Sequence, residues 1–148
     1  MHHLHGYYLE DLEVGMSASY AKTISEADVY MFAGISGDNN PLHVNAEYAE
    51  TTVFEQRIVH GMFSAALIST VAGTKLPGPG AIYVDQQIKF KSPIYFGDTA
   101  TATLTITDIN TRHRRVVLKS DVTVKGKVVA TGTATLMVDR RPTEPTDA

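Results

Sequence analysis

Two rhythms divide the chain. From residue 82 to residue 138 the apolar positions alternate with polar ones. Ile82, Val84, Gln86, Ile88 and Phe90 interleave with Tyr83, Asp85, Gln87, Lys89 and Lys91. Ala100, Ala102, Leu104 and Ile106 interleave with Thr99, Thr101, Thr103, Thr105 and Thr107. A period of two sends successive side chains to opposite faces, so each run predicts a strand with one apolar face. Val116, Leu118, Val122 and Val124 continue the pattern, and Val128 to Val138 returns after the turn Lys125-Gly126-Lys127. Pro93 marks a bend and Gly97-Asp98 a turn. The result is an antiparallel meander of long strands.

The first half follows a helical rhythm. Ser17 to Thr23 has strand character. Ser25, with Asp28 three residues on, forms a capping box and predicts a helix from about Glu26 to Gly34, with Ala27, Tyr30 and Met31 on one face. The stretch Ser36 to Pro41 is dense in turn formers. Asn45 can cap a short helix over residues 46–49. From Met62 to Lys75 nearly every face is apolar or small, which predicts a helix buried all round. Leu76-Pro77-Gly78-Pro79-Gly80 then breaks it.

A buried helix followed by long antiparallel strands predicts an α+β fold whose sheet wraps around that helix. A lone sheet leaves an edge and an apolar surface to cover. A homodimer, paired edge to edge, is the expected remedy. No repeat or linker interrupts the chain, so residues 1–148 are expected to form one domain, with 1–8 and 140–148 as flexible tails.

Composition narrows the classes. Length 148 fits one domain, and 43% hydrophobic with 20% charged residues is ordinary for a globular protein. Thirteen basic against 16 acidic residues leave a net charge of −3, which argues against a nucleic-acid partner. The absence of cysteine excludes disulfides, thiolate metal sites and thiol nucleophiles, and fits a cytoplasmic location. The longest apolar stretch, Met62 to Ala72, is too short to span a bilayer, and no signal peptide is evident, so no membrane association is expected.

The richest polar cluster is Gly37-Asp38-Asn39-Asn40-Pro41-Leu42-His43. A carboxylate and an imidazole five residues apart, joined by a proline-stiffened turn, supply the two partners of acid–base chemistry. Asn40 can orient one of them. The same residues also suit an Asx turn and an ordinary half-buried histidine. Gly61 stands at the start of the long helix, where free amides favour negative charge. It either forms an oxyanion hole or allows close packing. Ser69, two turns on, can donate to a carboxylate or bond back to its own helix. Lys89, Lys91, Arg112, Arg114 and Arg115 are able to meet phosphates, although exposed strand charges ordinarily just solvate a surface. His43, His60 and His113 are scattered and lack a short-spaced ligand pair, so no metal is expected.

Three strings carry a family resemblance. Ile35-Ser36-Gly37-Asp38-Asn39-Asn40-Pro41-Leu42-His43 resembles the hydratase-2 motif of MaoC-like proteins, the (R)-specific enoyl-CoA hydratases of the hot-dog fold. Ile58-Val59-His60-Gly61-Met62 is similar to that family's loop into its central helix. Phe90-Lys91-Ser92-Pro93-Ile94-Tyr95-Phe96-Gly97-Asp98 is similar to its Phe-x-x-Pro…Gly-Asp strand and turn. The resemblance runs from about Leu9 to Val138. It implies that Asp38 and His43 hold a water and add it across the C2=C3 bond of a trans-2-enoyl-CoA, giving a (3R)-hydroxyacyl-CoA. It further implies that the Gly61 amide meets the thioester oxygen and that Asn40 and Ser69 support the pair. Coenzyme A is then part of the substrate, and no separate cofactor is implied. The small bacterial hydratases linked to polyhydroxyalkanoate supply are the nearest in size.

Two other readings compete. A thioesterase or dehydratase of the same fold often takes a carboxylate from the central helix, but residues 62–75 contain neither Asp nor Glu. A non-catalytic acyl-CoA binding module has no need of a paired Asp38 and His43.

Overall fold

A computed structural model describes residues 2–143. The chain forms β1 (Ser17–Thr23), α1 (Glu26–Ser36), α2 (Pro41–Val44), α3 (Ala46–Glu50) and α4 (Gly61–Thr74). Four further strands follow, β2 (Ile82–Phe90), β3 (Thr99–Asn110), β4 (Arg115–Val124) and β5 (Lys127–Met137). They make one five-stranded antiparallel sheet in the order β1-β3-β4-β5-β2. This is the hot-dog arrangement, with α4 lying along the inner face of the sheet.

The period of two does what it predicts. Ala100, Ala102, Leu104 and Ile106 of β3 are buried, as are Val116, Leu118 and Val122 of β4. The threonines point outward. Ser17, Ser19 and Thr23 of β1 bond hydroxyl to hydroxyl with Thr105, Thr103 and Thr99 of β3 at 3.0, 2.8 and 2.7 Å. A polar outer face is thereby zipped across the strand pair.

The long helix departs from expectation. It is buried on one side only, through Phe63, Ser64, Leu67, Ile68, Val71 and Ala72. Met62 is 57% exposed, and Ala66, Ser69 and Gly73 are also exposed. The sheet covers one flank of α4, and in a single chain nothing covers the other. Its side chains Phe63, Leu67, Ile68 and Val71 each contribute about 1.5–3 kcal/mol by leaving water. At the far end, Lys75 Nζ donates to the Ser19 carbonyl at 2.7 Å and ties the helix to β1.

In α1 the capping box at Ser25 and Asp28 forms as expected. The buried face does not. Val29 and Ala33 point inward, while Tyr30 and Met31 are exposed. The expected face pointed the wrong way because α1 offers only a narrow apolar seam to the core. A short turn of helix, α2, appears where only turn formers were read. Pro41 sits in its first turn and Asn40 caps it.

The N-terminal residues, expected to be a tail, are held down. Gly6 and Tyr7 donate backbone bonds to the carbonyls of Pro79 and Pro77. Leu9 N donates to Asp139 O, and Arg141 pairs with Asp11. Residues 144–148 of the expected C-terminal tail lie outside the described residues.

Gly132 on β5 faces the β2 backbone at very short range. A Cβ placed there would lie 1.8 Å from the Gln87 carbonyl oxygen. Gly132→Ala is therefore expected to push β2 off the sheet and to lower stability by about 3 kcal/mol. The urea midpoint checks this; an unchanged midpoint would show that β2 gives way freely.

Candidate active site

The site is assembled from two loops. The first begins where α1 stops. Gly37 adopts φ 80°, and its left-handed conformation ends the helix and swings the chain toward Asp38. Asp38 N then donates to Ser36 Oγ, and Asp38 Oδ1 accepts from Asn40 N at 3.1 Å. Asn40 Oδ1 accepts from Leu42 N, and the Asn40 carbonyl accepts from His43 N at 2.9 Å. Asn40 thus caps α2 and sets where His43 stands.

The second loop runs from Ile58 to Gly61. An isolated bridge between Ile58 and Tyr95 and the bond from Val59 N to Ile94 O pin it to the segment before β3. It receives the first loop at two carbonyls. His43 Nδ1 lies 2.7 Å from the Ile58 carbonyl oxygen, and His60 Nε2 lies 3.0 Å from the Asp38 carbonyl oxygen. A carbonyl only accepts, so His43 carries its proton on Nδ1 and His60 on Nε2. The two rings stack at 4.0 Å, and Phe32 packs on His60 at 4.8 Å. His60 is 1% exposed.

This tautomer leaves His43 Nε2 bare. Burial holds the imidazole below the ordinary histidine value of 6.5, outweighing the Ile58 carbonyl and the nearby Asp38 carboxylate, which favour the charged form. At neutral pH the ring is neutral and its free nitrogen can accept or relay a proton. Polar side-chain atoms of Asp38, His43 and His60 lie within 4.8 Å of one another. Each histidine gives one nitrogen to a backbone carbonyl and the rings lie face to face. That arrangement suits proton transfer better than convergent metal ligation, where in-plane lone pairs must point at one centre. His113 lies elsewhere, in the exposed β3–β4 turn.

Gly61 opens α4 immediately after His60. First-turn amides have no partner within a helix and carry the positive end of its dipole. Gly61 also lies against the Phe90 ring, where a Cβ would come within 3.3 Å. Beside it is a cavity of about 280 Å³, lined among others by Phe54, Ile58, His60, Ser64, Phe90 and Lys91. The structure therefore gathers Asp38, Asn40, His43 and Gly61. It does not bring Ser69 to them. Ser69 is exposed on the outer side of α4, because five residues turn a helix through about 140° from Ser64. Ser64, one turn beyond Gly61, is the buried helix serine at the cavity. Its position at i+3 from Gly61, in register with Leu67 and Ile68, was the available signal. His60 stands outside the site expected from the sequence; its bond to the Asp38 carbonyl joins two loops that no spacing rule connects.

A helix along a curled sheet, with a loop-borne carboxylate and histidine near the helix N-terminus, defines a single hot-dog unit with a candidate acid–base site. Residues 11–130 match the MaoC like domain, and the chain belongs to that family. It is 58% identical over 135 residues to an (R)-specific enoyl-CoA hydratase of Rhodospirillum rubrum, covering 91% of this chain and 94% of that one. Among solved structures, the unliganded R-hydratase PhaJ1 of Pseudomonas aeruginosa superposes with a TM-score of 0.85 at 41% identity, covering 90% of this chain and 86% of the other. The (R)-hydratase from A. caviae involved in PHA biosynthesis superposes with a TM-score of 0.84 at 38% identity, covering 87% and 98%.

The depressed His43 value has a direct readout. Its folded value lies below its unfolded one, so the ring's contribution to stability is present above pH 6.5 and is lost as pH falls through the folded value. NMR titration of the His43 ring is expected to give a midpoint below 6.5. A midpoint at or above it would mean that the carboxylate, not burial, dominates.

Proposed function

We propose that the protein hydrates trans-2-enoyl-CoA thioesters to (3R)-hydroxyacyl-CoA, reversibly and without a separate cofactor. The observation that carries this reading is a neutral, buried His43 whose Nδ1 is spent on the Ile58 carbonyl, with an Asp38 carboxylate oxygen and an imidazole nitrogen within 4.8 Å of each other. A water between the two groups is activated in place. Asp38 takes its proton, the hydroxyl goes to C3, and a proton returns to C2, with His43 holding the water and relaying the proton. The Gly61 amide faces the thioester oxygen, where negative charge develops as C3 is attacked. Asn40 contributes by fixing His43, and His60 by fixing Asp38.

The same reading includes a homodimer. β2 is an edge strand, and its Ile82, Tyr83, Val84 and Phe90 are 53, 37, 50 and 50% exposed. The uncovered flank of α4, with Met62 and Ala66, adds to this apolar margin. Pairing two β2 edges extends the sheet and covers both. We place the protein in the cytoplasm; no helix among the described residues is long and apolar enough to cross a membrane. A product of (R) configuration suits supply of polyester precursors.

With crotonyl-CoA as substrate, loss of the conjugated enoyl-thioester absorbance is expected, with product oxidised by an (R)-specific and not an (S)-specific dehydrogenase. Asp38→Asn and His43→Ala are each expected to lower kcat by about 10²–10⁴-fold with folding retained. Free CoA release, or wild-type rates in either variant, would reject this assignment. For the assembly, sedimentation of the wild type is expected at twice 16.1 kDa, and Val84→Lys at the single-chain mass. A wild-type monomer would refute the edge pairing.

A further inference from the structure

A groove of about 710 Å³ lies on the outer face of the sheet, away from α4. Gln87, Lys89 and Lys91 of β2 and its continuation form one wall, and Thr107, Lys119 and Thr131 face them. Lys91 also lines the cavity beside Gly61, so the groove and that cavity share a rim. We propose that this groove binds the phosphates of coenzyme A, with the pantetheine arm running through the cavity to Gly61. The inference rests on the hydratase reading and adds the direction in which the substrate lies.

Charge and geometry carry it. Lys89 near the end of β2 and Lys91 just past it are both exposed and both line the groove. Neither has a carboxylate partner among the described residues. Lys119 approaches from β4, held at 3.2 Å by Asp121, whose other oxygen accepts from Thr131 Oγ1 at 2.5 Å. Coenzyme A brings about four negative charges on its pyrophosphate and 3′-phosphate near neutral pH. A chain of net charge −3 concentrates three lysines here, one of them on the rim of the cavity at Gly61. A concave groove of nucleotide size fits a small polyanion better than the convex acidic surface of a carrier protein.

The test compares crotonyl-CoA with crotonyl-pantetheine, which keeps the thioester arm and lacks the nucleotide. In Lys89→Glu and Lys91→Glu the CoA-to-pantetheine ratio of kcat/KM is expected to fall about tenfold or more, through KM, and the fall to shrink at high salt. Arg112→Glu, the same charge change in the distant β3–β4 turn, is expected to leave the ratio at its wild-type value. An unchanged ratio in both lysine variants overturns the proposal. So does a loss confined to crotonyl thioester on acyl carrier protein, which would make the groove a carrier-protein surface. Binding of free coenzyme A, read by calorimetry, separates this inference from the one beneath it. A wild type that hydrates nothing, yet binds coenzyme A through these lysines, would refute the hydratase and uphold the groove. A wild type that neither hydrates nor binds overturns both.

Discussion

Everything in this molecule depends on how closely one helix can approach one sheet. The inner face offers Ala100 and Ala102 on β3 and Ala130 and Ala134 on β5, all essentially without exposure. Small side chains along the floor let α4 lower Phe63, Leu67, Ile68 and Val71 into the gap. Larger residues on both surfaces would overfill it, and interiors are packed too densely to absorb the surplus. Gly132 carries the same constraint outward, letting β2 close over β5. The depth of α4 then fixes the height of its N-terminus, and so the position of Gly61.

The chemistry is borrowed from that placement. Neither Asp38 nor His43 lies on α4 or on the sheet. They ride on a connection that would be free to wander if it were not fastened to the loop leading into α4. Two contacts from histidine rings to backbone carbonyls fasten it, at Ile58 and at Asp38. Each also selects a tautomer. The contacts that hold the geometry therefore determine the proton inventory, and removing either disturbs both.

Local rules served the sequence well where structure is local. The alternation in residues 99–107 and the capping box at Ser25 carry their own geometry, and the strands and the start of α1 follow from them. The turn at Asp38 to His43 was legible because Asn40 and Pro41 state their roles within a few residues. What escaped was set by partners distant in the chain. Which flank of α4 is covered depends on the sheet, so Ser69 and Ser64 could not be ranked by composition. Tyr30 and Met31 suit a core face by spacing, yet Val29 and Ala33 are the buried residues of α1. His60 touches Asp38 across 22 residues, and Lys91 reads as an ordinary surface charge until two cavities are seen to meet at it.

The two ends of the fold are fastened to each other. Leu9 N binds the Asp139 carbonyl, Glu10 accepts from Arg141 N, and Arg141 pairs with Asp11. A β-sheet usually loosens from its terminal segments, and there the cheapest openings begin. Here the segments at Leu9–Asp11 and Asp139–Arg141 clasp one another, so neither can peel without freeing the other. Amide protons near Leu9 and Val138 then exchange more slowly than those of a free terminus.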